Sequence, residues 1–122
     1  MWQHFLLTYD GTDAKIYKDG GAPTTVAVPS IAYDSGAHSN FILGARGDTQ
    51  FPINSDIDDL AIFDSAKVIG DVWDGSGHPT DLSGESGLVA YWKFDDATLS
   101  GQWTVPDSSA NSNTGTSVAM GP

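Results

Sequence analysis

The stretch Asn54-Ser55-Asp56-Ile57-Asp58-Asp59-Leu60-Ala61-Ile62-Phe63-Asp64 decides the fold. In its second half Asp58, Leu60 and Ile62 lie on one face, and the residues between them lie on the other. Alternation over this length predicts a β-strand rather than a helix. An inward carboxylate at Asp58 needs backbone amides, a cation or a metal ion to compensate it. The pattern therefore predicts either an Asp that caps a turn at the sheet rim or a metal ligand.

Short strands separated by turn residues extend outward from this stretch on both sides. Asp10-Gly11-Thr12-Asp13 predicts a hairpin connection, because Gly supplies the positive φ that a tight turn needs. Asp64-Ser65 predicts a helix N-cap, and the polar stretch 75–87 predicts a boundary between two halves. Strands are predicted at 2–9, 14–18, 24–28, 41–44, 57–63, 88–94, 103–105 and 114–119, with a helix of about two turns within 66–73. About eight short strands and one short helix predict an all-β antiparallel sandwich.

Composition limits the classes of function. The 122 residues correspond to one domain, and the net charge of −11 argues against nucleic acid and acidic membrane surfaces. No apolar run has the roughly 18–20 residues that span a bilayer, so membrane insertion is not predicted. No signal peptide is visible before Trp2. Without Cys, disulfides and thiolate metal sites are excluded.

Four segments together resemble the laminin G-like, concanavalin A-like lectin/glucanase superfamily, which has a jelly-roll β-sandwich fold. They follow the family patterns W-x-H-hydrophobic-T-Y-D-G, Y-x-D-G, I-D-E-hydrophobic-x-I-Y and Y-W-x-F-D…D-S-S-G-N. In this chain they are Trp2 to Gly11, Tyr17 to Gly20, Ile57 to Phe63, and Tyr91 to Asp95 with Asp107 to Asn111. The phrase His78-Pro79-Thr80-Asp81-Leu82-Ser83 is also similar to modular structural proteins of tailed phages.

The order of these segments departs from the family pattern. In the family the Y-W-x-F-D segment opens the domain and the I-D-D segment closes it. Here residues 1–74 resemble the second half of the domain and 88–122 its beginning, and the strands normally between them are missing. The chain is then a fragment spanning two domains, a permuted sandwich, or a sandwich completed by a neighbouring subunit in a homo-oligomer. We expect 1–122 to form a single permuted or self-completing lectin-like domain.

The candidate chemistry is that of metal binding rather than catalysis. Related glucanases use paired carboxylates on one strand, whereas Glu85 is the only Glu and stands in a Gly/Ser-rich loop. Asp56 to Asp59 and Asp107 to Asn113 offer the hard oxygen ligands that suit Ca²⁺. If the sandwich closes, Asp58, Asp95 and Asp107 meet at one rim, where the resembled family commonly holds a structural Ca²⁺. The alternative is Asx-turn chemistry, with Asn111 and Asn113 organising a loop.

Ligand binding is predicted at aromatic residues outside the alternating strands. Lectin-type sites stack sugars on exposed aromatic rings beside amide and carboxylate groups. Trp103 and Tyr33 stand in loop-like surroundings, and Asn113 offers an amide, so these three are the predicted ligand-binding residues. Trp2, Trp73 and Trp92 follow core periodicity and are predicted to pack, and His4 is predicted to pack and form hydrogen bonds.

The resemblance implies a non-catalytic module that recognises a carbohydrate or glycoprotein surface. We expect such a module to belong to a larger structural or adhesion protein, outside the cell or on a virion or cell surface. The alternative is a purely structural or assembly sandwich without a small ligand. A glycoside hydrolase is the least favoured interpretation.

Overall fold

The first three strands form one antiparallel sheet. The computed structural model describes residues 1–32, 41–45, 53–77 and 80–117. Strands β1 (Phe5–Tyr9), β2 (Asp13–Lys18) and β3 (Thr24–Ala27) lie side by side in that order. The strand predicted from Trp2 thus begins later, at Phe5.

Two hairpin turns fix this sheet, and both follow from local chemistry. The Asp10 carboxylate accepts the backbone N–H groups of Thr12 and Asp13 at 3.0 and 2.8 Å, which confirms the predicted hairpin connection. The second turn passes through Gly20 at φ +72°. A Cβ at Gly20 would stand 3.0 Å from the Trp73 indole, so this turn needs glycine both for its backbone conformation and for its close approach to the ring.

The stretch from Asn54 to Asp64 supplies strand β4 (Leu60–Phe63). This strand pairs antiparallel with a later one, labelled β5 here (Leu88–Trp92), and the register shifts between Ile62 and Phe63. The shift is a β-bulge, after which the Asp64 N–H donates to the Gly87 carbonyl at 2.9 Å. The predicted strand is confirmed, and it joins the two halves of the chain.

A third small sheet follows β5. It contains β6 (Thr98–Ser100), β7 (Gln102–Val105) and β8 (Gly115–Thr116), paired antiparallel in that order. The β6–β7 connection turns at Gly101, whose φ is +81°. The sequence analysis did not predict β6.

The core lies between the first two sheets and a single helical turn, α1 (Ile69–Val72). Its buried members are Val72, Leu82 and Tyr91. Around them pack the half-buried side chains of Leu6, Ala61, Phe63, Ile69 and Leu88. Alternation along residues 88–94 predicts that Leu88, Ala90, Trp92 and Phe94 point inward and that Tyr91 points outward. That prediction is wrong for Tyr91, which is only 1% exposed. The stretch 75–87 is also more than a polar boundary, because Leu82 inserts into the core.

The helix is shorter than predicted. Its N-cap is Val68, which makes no side-chain capping bond, and it extends over four residues only. The predicted cap at Asp64-Ser65 is wrong, because these residues lie against Gly87 instead. Gly70 inside the segment also weakens a helix.

The predicted strand at 41–44 is wrong. Gly44 adopts φ +82°, and its carbonyl accepts the Ile53 N–H at 2.8 Å, so the backbone turns here. The apolar run then lines a cavity, described below, and Phe41 stays 62% exposed.

The described residues therefore confirm an all-β fold of antiparallel strands, as expected for a concanavalin A-like sandwich. They contain eight short strands and one helical turn. Within the same ranges no helix has the length and apolar character that crossing a bilayer requires. The single permuted or self-completing domain expected from the sequence stays a prediction.

Candidate functional site

An open cavity of about 570 Å³ lies between the second and third sheets; we call it the aromatic cavity. Four aromatic side chains line it: Phe41, Trp92, Phe94 and Trp103. Aliphatic residues complete the wall, among them Leu43, Ile53, Ile57, Leu60 and Val105, and Ser55, Thr116 and Ser117 add hydroxyl groups. A concave apolar surface with a few polar groups is the usual form of a small-ligand site.

Trp92 forms the fixed side of the aromatic cavity. It ends strand β5, and its indole N–H donates to the Asn113 carbonyl at 2.8 Å. A Cβ added at Gly115 would stand 3.4 Å from the same indole nitrogen, so the small residue allows the ring to lie close to β8. Phe41 faces Trp92 with nearly parallel rings, 4° apart in plane and 6.1 Å between centroids. Trp92 thus packs as predicted, and its ring also lines the aromatic cavity.

Trp103 stands on the exposed side of the aromatic cavity and is 50% exposed. Its backbone is held firmly, because its N–H donates to Ser117 Oγ at 2.9 Å and its carbonyl accepts the Ser117 N–H at 2.8 Å. A half-exposed indole on a fixed strand offers a flat apolar face to a ligand. The structure thus places the predicted Trp103 on the cavity, whereas the predicted Tyr33 lies outside the described residues.

Asn113 and Asp107 belong to a loop that covers the outer edge of β5. The Asn113 side-chain amide donates to the Val89 carbonyl at 2.9 Å, and the Asn111 amide bonds the same carbonyl at 3.0 Å. Asp107 accepts the Tyr91 N–H at 2.9 Å, and the Ser108 N–H donates to the Tyr91 carbonyl. Free strand edges attract other strands, and this loop satisfies one such edge internally. The Asx-turn alternative of the sequence analysis is therefore realised.

The structure does not bring Asp58, Asp95 and Asp107 together. Across the described ranges, no group of three or more His, Cys, Asp or Glu side chains is placed to hold a metal ion. Asp107 accepts four hydrogen bonds within its own loop and from Tyr91, at 2.7–2.9 Å. Although burial by itself raises the pKa of Asp107, the donors together hold that pKa below its ordinary value. This arrangement does not fit the predicted calcium rim at Asp58, Asp95 and Asp107.

The inward carboxylate of the opening stretch is Asp59 and not Asp58. Asp58 is exposed, whereas Asp59 is half-buried at φ +49° and accepts the Tyr91 hydroxyl at 2.5 Å. Burial is the main cause that raises the pKa of Asp59, and the neighbouring charges of Asp58 and Asp95 add to it, against the Tyr91 hydrogen bond. Burial and the Asp59 contact likewise raise the pKa of Tyr91. The sequence predicted the inward carboxylate but placed it one residue too early.

The remaining predicted residues have structural partners or exposed positions. His4 stacks on Trp73 with 4.6 Å between ring centroids, but its Nδ1 is buried with no hydrogen-bond partner among the described residues. Burial lowers the pKa of His4, against the charge of Asp19. Trp2 is 63% exposed, so its predicted packing is wrong. Glu85 pairs with Lys67 at 3.1 Å, which gives the single Glu a structural contact.

Sequence reasoning missed Phe41 as a site residue. Its apolar run predicted a buried strand, and no local signal shows that a run of this kind lines a cavity. The Gly at 44 was the available hint, because a glycine within such a run marks a turn or a close backbone approach.

The comparisons with known proteins agree with the fold. A family model described as the concanavalin A-like lectin/glucanases superfamily, a laminin G-like family, matches residues 1–72. This range contains the first sheet, β4 and α1. No curated protein and no solved structure gives a significant match.

Proposed function

The chain belongs to the concanavalin A-like lectin/glucanases superfamily, and from this premise we propose that it is a non-catalytic module that recognises a carbohydrate or glycoprotein surface. The single observation that carries this proposal is the half-exposed Trp103 indole beside an open, aromatic-lined cavity. The superfamily contains both sugar-binding and sugar-cleaving proteins. Membership therefore does not distinguish the two functions, and the residues of the site have to do so.

Three properties of the aromatic cavity support sugar binding. Sugar rings have apolar C–H faces that stack on aromatic rings, and Trp103 presents such a ring to solvent. The near-parallel Phe41 and Trp92 rings extend the aromatic surface into the cavity. Ser117 and Thr116 at the same cavity supply the hydroxyl groups that orient sugar hydroxyls.

The carboxylates support a binding role rather than hydrolysis. A glycosidase needs two carboxylic acids facing each other across the bond, about 5–9.5 Å apart. The aromatic cavity has no Asp or Glu among the described residues that line it. The single Glu is paired with Lys67. We therefore assign no catalytic residue.

A glycan array tests the proposal. The chain is applied in parallel with Trp103→Ala and with Trp2→Ala, a control that removes an indole of similar exposure outside the cavity. We expect the wild type and Trp2→Ala to bind the same glycans, and Trp103→Ala to lose about fivefold or more in affinity, since stacking on an aromatic ring is worth about 1 kcal/mol or more. Equal binding by all three proteins would contradict the proposal that the glycan binds at Trp103.

A purely structural or assembly role is the second candidate, and one observation favours it. The register puts Phe5, Leu7, Ile16 and Val26 on one face of the first sheet, and all four are exposed. A contiguous apolar sheet face of this kind usually meets another protein surface. Sedimentation velocity across a concentration series tests it. Self-association that Val26→Thr weakens would favour this role, and a monomer throughout would argue against it.

A further inference from the structure

Two strand edges face each other across an open cavity of about 520 Å³, which we call the slot. Consecutive residues line it on both sides, from His4 to Tyr9 along β1 and from Asp59 to Lys67 along and after β4. Successive side chains of a strand point to opposite faces, so only the edge of a strand presents every residue to one space. The slot therefore runs along two edges, and β1 and β4 are not paired with each other.

The β1 backbone leaves hydrogen-bonding groups directed into the slot. The His4 carbonyl accepts the Asp19 N–H at 2.9 Å, and the Asp10 N–H donates to the Asp13 carbonyl, so these pairs face β2. Bonded and non-bonded pairs alternate along an antiparallel ladder. The N–H and C=O groups of Phe5, Leu7 and Tyr9 thus point away from β2, to the open edge.

The β4 backbone does the same from the other side. Tyr91 directs its N–H to Asp107 and its carbonyl to Ser108, both away from β4. Its partner Ala61 is therefore in a non-hydrogen-bonded pair, and the main-chain groups of Ala61 point into the slot. After the bulge Asp64 bonds Gly87, so Phe63 again faces the slot.

The β4 edge that lines the slot differs from the β5 edge on the opposite side of the second sheet. The loop from Asp107 to Asn113 covers the edge of β5 with side-chain hydrogen bonds, as described above. Among the described residues, none bonds the backbone of Phe5, Leu7 or Ala61 in this way. Within the described part of the chain, one edge of the second sheet is thus satisfied, and the β1 and β4 edges that face the slot have no backbone partner.

The dimensions of the slot correspond to one strand. Six strand residues extend about 20 Å, and a volume of about 520 Å³ spread over that length has a cross-section about 5 Å on a side. Neighbouring strands in a sheet lie about 4.8 Å apart. An inserted strand would join the sheets β1-β2-β3 and β4-β5 into one.

Both faces of an inserted strand would meet apolar groups. On one side lie Leu6, Ala61 and Phe63, which pack on the core. On the other side lie Phe5 and Leu7, which are 62% and 70% exposed. A strand buried on both faces is an almost continuous apolar run. The exposed Asp64 at the end of β4 and the net charge of −11 favour basic flanking residues and disfavour a second copy of this chain.

We propose that the slot receives an extended segment of a different polypeptide, about five uncharged, mostly β-branched residues with basic residues on either side. The inserted backbone bonds the open groups of β1 and β4, which is β-strand addition, and its alternate side chains fill the two apolar layers. This inference is independent of the aromatic cavity, because it depends on the edge of β4 that is not paired with β5.

A synthetic peptide tests the proposal with the full chain. The probe is Lys-Thr-Val-Ile-Val-Thr-Lys, acetylated and amidated, titrated into ¹⁵N-labelled protein, and the control replaces its central Ile with Pro. We expect saturable binding of the first peptide and at least tenfold weaker binding of the second, because Pro removes the central N–H. The amides of Phe5, Leu7 and Ala61 should gain protection from hydrogen exchange, and that of Leu6, which already faces β2, should not change.

A backbone variant separates edge pairing from apolar contact. Leu7→Pro removes one open N–H without touching a bond to β2, and Leu7→Thr changes the same side chain but keeps the N–H. We expect the first variant to lose peptide binding at least tenfold and the second to retain it. Equal binding of both peptides, or protection that omits Phe5 and Leu7, would overturn the proposal. So would a dimer whose slot amides are already protected without peptide. The Pro-containing peptide keeps the test valid if Leu7→Pro does not fold.

Discussion

At the scale of single residues, the contact between Asp59 and Tyr91 links the two halves of the chain. The Tyr91 side chain belongs to the core, and its hydroxyl donates to Asp59, at the start of β4, while the Thr80 carbonyl lies 3.3 Å from the same hydroxyl oxygen. Lys93 lies over the Tyr91 ring at 5.4 Å and pairs with Asp81. A buried hydroxyl with two acceptors fixes the register of the strands that carry it, because a slip by one residue would leave it unpaired.

Removing this hydroxyl should lower the free energy of unfolding. In Tyr91→Phe the half-buried Asp59 loses its donor, and such a loss costs about 1–3 kcal/mol. Tyr17→Phe is the control, since no described residue bonds the Tyr17 hydroxyl. Urea unfolding measures the difference. Equal midpoints for the two variants would mean that the contact adds nothing to stability.

The raised pKa of Asp59 gives stability a distinct pH dependence. Between the ordinary Asp pKa of about 3.9 and the raised value, the folded chain binds more protons than the unfolded chain. Stability from this group therefore increases as the pH falls through its folded pKa. We expect the wild type to gain stability relative to Asp59→Asn between pH 7 and pH 4, measured by urea unfolding. A stability difference between the wild type and Asp59→Asn that stays constant over this pH range would contradict the assigned cause.

At the scale of elements, the loop from Asp107 to Asn113 acts as a cap on β5. Asp107→Ala removes four accepted hydrogen bonds and exposes the strand edge. We expect a loss of about 3 kcal/mol in the free energy of unfolding, because several partly buried hydrogen bonds are lost together. Thermal unfolding of Asp107→Ala, compared with that of the control Asp96→Ala, measures this loss. If both variants melt together, the loop does not stabilise the strand.

The elements also show how far the sequence could predict the fold. The hairpin at Asp10 and the strand before Phe63 were predictable, because turn chemistry and alternation are local signals. The inward direction of the Tyr91 side chain was not predictable, since both faces of β5 are partly apolar and the face is selected by packing with Val72 and Leu82, which are distant in sequence. The aromatic cavity could be predicted only through Trp103, because Phe41, which stacks on Trp92, reaches the cavity from a turn and not from a strand.

At the scale of the whole molecule, the net charge of −11 would attract cations such as Ca²⁺. Because Asp107 is saturated with hydrogen bonds and no described carboxylate group has metal-binding geometry, we expect Ca²⁺ and EGTA to give the same Tm in scanning calorimetry. A ligand at about 100 times its Kd would stabilise by roughly 2.7 kcal/mol. A calcium-dependent rise of several degrees would therefore show that the carboxylates form a site after all.

Apart from Leu60, the described residues that line the aromatic cavity differ from those that line the slot, so a glycan and an inserted strand would contact largely separate surfaces. Leu60 belongs to both cavities. The second sheet, which contains β4 and β5, is therefore the element on which both proposals depend.

The central claim is that the cavity around Trp103 binds a carbohydrate. Its most direct test is the indole region of a ¹⁵N spectrum, in which the four Trp residues give separate signals, during titration with the glycan that binds most strongly on the array. We expect the Trp103 signal to shift first and saturate, with a smaller shift at Trp92 and none at Trp2 or Trp73. Shifts confined to Trp2 or Trp73, or no glycan that moves any indole signal, would contradict the account.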